Sequence, residues 1–226
     1  MSVVIPVLNE AGLVEDAIRH VRSQDGLVER ELEIIVVDGG SSDGTAQRAA
    51  NADRVLVSDP GRAIQMNLGA RHARGDVVLF LHADTQLPDA AVAGIRTWFR
   101  RGGVWGGFHV AVHGQSPWLK VVSRGINLRA RVSGILTGDQ AIYTTRKVLE
   151  EEGYFAEIPL MEDIELSRRF RKRCWPFLIH QPVRTSGRRW DQGGVFRTVG
   201  FMWYLRICYA LGRDPAELAS LYRPVR

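Results

Sequence analysis

The chain has 226 residues, 45% of them hydrophobic, with a formal net charge of +5 at pH 7. That is enough for one sizeable α/β domain, or one domain with a C-terminal extension, around an ordinary globular core. The modest positive charge suits an anionic substrate or a membrane surface. No basic run interleaves with aromatics as in single-strand binders, so nothing points to nucleic acid. Two cysteines, Cys174 and Cys208, make no metal-ligand spacing and are expected as buried thiols of a cytosolic protein. The first residues enter a strand at once, without a basic stretch and apolar core, so no signal peptide is expected.

In chain order, residues 2–5 read as a first strand, followed by a helix over about 10–23 that Asn9 could cap. Glu33–Asp38 is a second, β-branched strand. A short helix opens at Asp43 or Thr45 and runs to residue 50; residues 54–58 form a third strand. A helix rich in small residues spans 61–73, with Gly75 beyond it as a C-cap glycine, and residues 77–81 form a fourth strand. Alternation of strand and helix predicts a mostly parallel sheet. A helix over about 89–101, a Gly-rich antiparallel strand region at 102–113 and a helix at 119–132 follow. The rest reads as a short strand or turn at 138–144, a helix at 161–172, a short strand at 177–180 and an aromatic helix at 194–212. His180, on that short apolar strand, is expected as a satisfied core histidine.

The stretch IIVVDGGSSDGT at 34–45 is the most informative. It is a buried strand that ends in Asp38 and runs into a Gly/Ser-rich turn. In open α/β sheets, ligands bind beyond the carboxyl ends of the strands, and the turn's N–H groups can face an anion. A dinucleotide dehydrogenase would place GxGxxG after strand one; here Pro6-Val7-Leu8-Asn9-Glu10 follows. No P-loop run exists. Gly40 to Gly44 spells GxSxG, but it follows the second strand and no HGGG-type loop accompanies it, which argues against a hydrolase elbow. Asp84 ends the run VVLFLHADT and would share a crevice with Asp38. A carboxylate there could hold Mg²⁺ or Mn²⁺ against a diphosphate, or simply cap the next turn. Arg62 heads a helix, a natural phosphate position. Glu162 and Asp163 open a helix that ends in arginines; this complements the helix dipole, and Asp163 could also serve as a general base. The six histidines form no zinc pattern, and His82 alone falls in a suspected site.

With these residues in place, the chain resembles the family-two glycosyltransferases of the GT-A fold, over roughly residues 2–190. VVIPVLNE is similar to the family's opening nucleotide-binding strand, VVDGGSSDGT to its base- and ribose-binding turn, and FLHADT to its DxD metal motif. MEDIELSRR is similar to the ED motif of the catalytic base, and SGRRW to the end of the QxxRW motif. The resemblance implies a GT-A, Rossmann-like, mostly parallel α/β sheet over residues 1–190, with residues 191–226 as a helical extension packed on it. It implies a metal-dependent, inverting transfer of a sugar, of hexosyl type, from a nucleoside-diphosphate sugar to an acceptor hydroxyl. Asp163, beside Glu162, would deprotonate the acceptor. Pro6, Asn9, Glu10, Asp38 and Gly39 would line the nucleotide pocket, and Asp38 fits uracil, guanine or thymine equally. Arg62 would offset charge on the leaving diphosphate, and Asp84 would hold Mg²⁺ or Mn²⁺. Gly138, Asp139, Gln140, Arg189 and Trp190 would lie near the diphosphate or acceptor.

The chain departs from the family at three places. Gly39 stands where an acid is usual, His82 replaces the first acid of DxD, and QxxRW lacks its glutamine. No transmembrane channel follows, which argues against a processive polymer synthase. GRAIQMNLGA with HADT resembles a small bacterial subgroup described as selenodomain-associated transferases or arsenosugar-biosynthesis glycosyltransferases. A nucleotide-sugar-binding scaffold with a dead site, and a nucleotidyltransferase, are the competing classes. The helix at 195–211 carries Arg197 and Arg206, so it is expected to pack on the protein or a second copy, or to lie on a membrane surface, rather than to span it. A cytoplasmic protein is expected, with peripheral contact to the inner face of the membrane as the variant. The acceptor, small molecule or lipid, stays open.

Overall fold

The computed structural model describes residues 1–24 and 32–222. Hydrophobic, β-branched runs build its centre. β1 (Ser2–Val7) pairs in parallel with β2 (Glu33–Asp38) and β4 (Val77–Phe80), and β2 with β3 (Arg54–Val57). β1, β2 and β4 are buried almost throughout, as strands covered on both faces must be. α1 (Val14–Arg22), α2 (Thr45–Arg48) and α3 (Arg62–His72) lie between these strands in the chain.

The sheet then changes character. After β5 (Thr85–Gln86) and α4 (Ala91–Arg100) come β6 (Trp105–His113), α5 (Leu119–Ser133), a 3₁₀ turn at Gly138–Gln140, β7 (Tyr143–Thr145) and α6 (Arg146–Glu151). α7 (Glu162–Arg173), β8 (Phe177–Ser186), α8 (Arg188–Gly193), α9 (Val195–Ala210) and α10 (Pro215–Leu221) complete the described chain. The eight strands are ordered β3-β2-β1-β4-β7-β6-β8-β5. β7 runs antiparallel to both β4 and β6, so it joins a parallel half to a second half in which β6 and β8 are parallel. The result is a mixed α/β sheet flanked by helices.

Alternation along each strand divides the core in two. Val3, Ile5 and Val7 face one side with α1 and α4; Val4, Ile35 and Val37 face the other with α3, α6 and α7. Gly69 lets α3 approach β1: a Cβ there would stand 2.4 Å from a methyl of Val4. A third, smaller cluster joins Met161 and Ile164 of the α7 start to Leu205 of α9 and Leu218 of α10. No helix among the described residues is long and apolar enough to cross a membrane. The outward side of α9 exposes Phe196, Trp203, Tyr204 and Ile207.

Several local expectations are corrected. α1 starts at Val14, not beside Asn9, and Asn9 stands at φ 55 with its side chain used elsewhere. Gly75 is not the cap of α3; a Cβ on it would strike the Met1 backbone at 2.6 Å, so glycine serves a close approach to the first strand. The 102–113 region is antiparallel only to β7. β8 continues to Ser186 past Gln181-Pro182, because the register shifts there and a proline fits at an irregularity. His180 is exposed and meets the His109 ring edge-on rather than filling the core. Both cysteines are half-buried rather than buried. The final four residues of the expected 191–226 extension lie outside the described residues.

Candidate active site

The carboxyl ends of β1 and β2 are tied together by side chains. Asn9 donates its backbone N–H to Ser41 Oγ at 2.8 Å, and its Oδ1 accepts the N–H of Ser42 at 2.9 Å. Asn is among the few residues that tolerate the left-handed region this turn demands. Thr45 Oγ1 accepts from the Glu10 N–H at 2.9 Å, and Asp43 accepts from Ala11 at 3.1 Å. Asp38, buried, accepts the N–H of Ser41 and also the Ser41 hydroxyl. Gly39 is tightly packed: a Cβ would meet the Gln65 amide at 3.1 Å, so that amide would have to shift. That buried amide donates to Val7 O at 2.7 Å and Val37 O at 2.9 Å, closing the gap between β1 and β2. Pro6 lies in β1, opposite Val37.

The second group forms where β4, the 3₁₀ turn and α7 converge. Met161 sits at φ 71, and α7 starts immediately after it, so Glu162 and Asp163 occupy the helix N-terminus, where carboxylates are favoured. One Asp163 oxygen accepts the N–H of Gly138 at 2.8 Å and the other the N–H of Ile164 at 2.7 Å. Arg62, His82, Gly138, Glu162 and Asp163 line one small cavity with Met66, Phe80, Ile142 and Phe155. His82 Nδ1 stands 3.4 Å from Asp139 Oδ1, and Arg62 stands 3.7 Å from Glu162. Gln140 is fully buried; its Nε2 donates to Phe108 O at 3.1 Å and its Oε1 accepts from Arg129 at 3.1 Å. A larger cleft, bounded by Met1, Glu33, Arg54 and Val77, opens at the opposite, amino ends of the strands.

These groups shift one another. Burial pushes the Glu162 carboxyl up, and neighbouring Asp163 adds to the rise, against a smaller pull from Arg62. Partial desolvation would also raise Asp139, whose side chain is more than half accessible, but the hydrogen bond and charge of His82, with Arg62 and Arg129, hold it below the usual carboxylate range. Partial desolvation acts to lower Arg62, half of whose side chain is accessible, yet Glu162, Tyr222, Asp139 and Asp163 outweigh it and raise it.

A third contact was not foreseen. Arg188 Nη2 lies 3.4 Å from Asp84 and 3.7 Å from Glu10, bridging the ends of β4 and β1. Its neighbour Arg189 lies over the Tyr222 ring at 4.0 Å. Trp190 packs against the larger core cluster. The structure therefore brings Arg62, His82, Gly138, Asp139, Glu162 and Asp163 together. It places Asp84, Glu10 and Arg188 in a second group, and Asp38, Gly39 and Asn9 in a third. Gln65, Arg129, Arg188, Arg206 and Tyr222 were not assigned to the site, although Gln65 lies inside the GRAIQMNLGA run, Arg188 inside SGRRW, and Arg206 is read as a charge on the last aromatic helix. Among the described residues no three His, Cys, Asp or Glu side chains converge into a metal cage.

A mixed sheet with helices on both faces, a Gly/Ser turn after β2 and carboxylates at the strand ends define a GT-A-like fold. A family model described as "Glycosyl transferase family 2" matches residues 2–121. The chain belongs to that family. Among solved structures, Mannosyltransferase PcManGT from Pyrobaculum calidifontis, in complex with GDP-Man and Mn²⁺, superposes with a TM-score of 0.69 at 21% identity, over 100% of this chain and 65% of that one. S. aureus TarS 1-349 in complex with UDP-GlcNAc gives 0.66 at 17%, over 83% and 58%. Glucosyl-3-phosphoglycerate synthase from Mycobacterium tuberculosis, with Mn²⁺, UDP and phosphoglyceric acid, gives 0.64 at 21%, over 94% and 78%. Matched regions of this chain thus span less than two thirds of the TarS and PcManGT chains.

Proposed function

We propose that the protein transfers a sugar from a nucleoside-diphosphate donor to an acceptor hydroxyl, with inversion, using Asp163 as general base. The observation that carries this reading is the Asp163 carboxylate, fixed by two backbone N–H groups in a cavity shared with Arg62 and His82. Each of its oxygens keeps a lone pair for a substrate hydroxyl. Family membership supports the donor class, as do the GDP-mannose and UDP-GlcNAc held by the neighbours. GRAIQMNLGA with HADT supports a place in the small bacterial subgroup named above.

In this mechanism Asp163 takes the acceptor's proton as the acceptor oxygen attacks the anomeric carbon. The bond from that carbon to the diphosphate oxygen breaks, and its electron pair leaves with the nucleoside diphosphate. Arg62 offsets the charge that grows on the leaving group. Asp38, beyond the lone pairs Ser41 occupies, accepts N–H groups of the base, while Pro6, Asn9, Glu10 and Gly39 shape its pocket. Gly138 holds Asp163 through its N–H, and Asp139, Gln140, Arg189 and Trp190 are assigned to the neighbourhood of the diphosphate or acceptor. The donor set suits a hard cation that draws most of its ligands from a diphosphate. Asp84 would be its protein ligand, and Mg²⁺ or Mn²⁺ would supply further stabilisation of the leaving diphosphate.

The test is a thermal-shift panel of UDP, GDP, dTDP, CDP and ADP, each with Mn²⁺ and with EDTA. A nucleotide at about 100 times its Kd adds roughly 2.7 kcal/mol to stability. One Mn²⁺-dependent shift is expected; if no nucleotide shifts the transition, the transferase reading fails.

A further inference from the structure

We propose that Arg129 and Arg206 bind an anionic group, a phosphate or carboxylate, carried by the acceptor, so that the enzyme's acceptor class is a negatively charged hydroxyl compound. This rests on the transferase reading above. Arg129 lies on α5 and Arg206 on α9, two helices from separate parts of the chain. Nε and Nη1 of Arg129 and Nε of Arg206 are buried without a hydrogen-bond partner. Buried polar donors are almost always paired, and an unpaired buried charge is costly. A bound anion removes that cost with charge-assisted hydrogen bonds. Burial and then the Arg206 charge hold Arg129 down to about 10. Burial also lowers Arg206, against the pull of Asp163 and Asp139.

The position assigns the anion to the acceptor. Leu205, next to Arg206, packs with Met161 and Ile164 on either side of Glu162 and Asp163, and the charges of Asp163 and Asp139, the proposed base and its neighbour, act on both arginines. Arg129 also donates to Gln140 and Thr137 at 3.1 and 3.3 Å, in the turn whose Gly138 N–H holds Asp163. The nucleotide end, by contrast, is tied to Arg188 through Asp84 and Glu10.

The experiment titrates inorganic phosphate into the full chain already saturated with its nucleoside diphosphate and Mn²⁺. The readout is the thermal transition of wild type, Arg206→Gln and Arg206→Lys. Arg206 is the position to change, because Arg129 also holds the turn under Asp163. Phosphate is expected to stabilise the nucleotide-saturated wild type. Arg206→Gln should weaken its apparent affinity about tenfold or more, as the loss of a charge-assisted hydrogen bond implies, with the nucleotide shift retained. Arg206→Lys should recover part of it. In transfer assays with hydroxylated phosphates, hydroxy acids and neutral glycosides, only the anionic acceptors should turn over, and Arg206→Gln should raise acceptor KM but not donor KM. Phosphate that binds only the nucleotide-free protein, displaced by the nucleotide, would assign the arginines to the donor and overturn the proposal. So would nucleotide binding with no phosphate effect, or phosphate binding equal in Arg206→Gln, an adventitious ion only. Absence of any nucleotide shift overturns the transferase reading itself, and the acceptor assignment falls with it.

Discussion

Asp163 and Glu162 are adjacent carboxylates with different surroundings, and each supports its own prediction. Asp163 is held by Gly138 and Ile164 and faces the cavity shared with Arg62 and His82. Asp163→Asn keeps the shape and one acceptor oxygen but cannot take a proton. Turnover should fall about 10²–10⁴-fold, the usual worth of a general base, while nucleotide binding stays within error. Unchanged turnover in a single-turnover assay would remove Asp163 from the mechanism. Glu162 is buried, and its carboxyl is raised first by that burial and then by Asp163. The folded chain therefore holds this proton more tightly than the unfolded chain. Stability from this group is present below the ordinary carboxylate range and is lost as pH rises toward the folded value. Glu162→Gln is fixed in the neutral form, so its stability should decline less between pH 4 and 8 than that of wild type. Urea unfolding at several pH values measures the difference, and a steeper decline in the variant would contradict the burial argument.

At the scale of elements, the parallel half was legible because its signals are local. Glu33–Asp38 is a β-branched run buried through Asp38, bounded by a Gly turn, and it forms the expected strand. α7 begins one residue after the expected position, with its acids first and its bases last. The β8 extension was hidden by Gln181-Pro182, since a proline normally ends a strand and only the partner strand reveals the irregularity. α10 carried a readable sign, Asp214 before Pro215, an N-cap followed by proline at the first position. The Arg129–Arg206 relation was not legible: the two residues lie on α5 and α9, and no spacing in the chain announces that they act together. Gly69 belongs to the same class, being small because α3 touches β1. Gly69→Ala gains up to about 1 kcal/mol of helix propensity. It also forces a methyl to within 2.4 Å of Val4, where overpacking costs about 1–3 kcal/mol. The clash should win, lowering the denaturant midpoint at unchanged m; a higher midpoint would mean that α3 shifts freely.

At the scale of the whole molecule, the sheet and the C-terminal helices are held by unequal means. Two extensive clusters cover the sheet, whereas α9 and α10 meet α7 through Met161, Ile164, Leu205 and Leu218 with a few partly buried neighbours. Full burial of one leucine contributes about 1.5–3 kcal/mol, so this contact holds the helices without making them inseparable from the core. The same helices supply Arg206, and Tyr222 follows α10 beneath the Arg189 guanidinium. On this basis we propose a body at 1–190 and an extension at 191–226. Local opening should occur in the less buried unit at a lower free energy than global unfolding. In hydrogen exchange, amides of α9 and α10 should exchange well before those of β1, β2 and β4, under conditions where the sheet stays closed. Saturation of the Arg129–Arg206 pair by phosphate should slow α9 selectively, because the anion bridges it to α5. Equal protection across α9 and the central strands would show that the extension unfolds only with the body and would make the boundary near residue 190 meaningless.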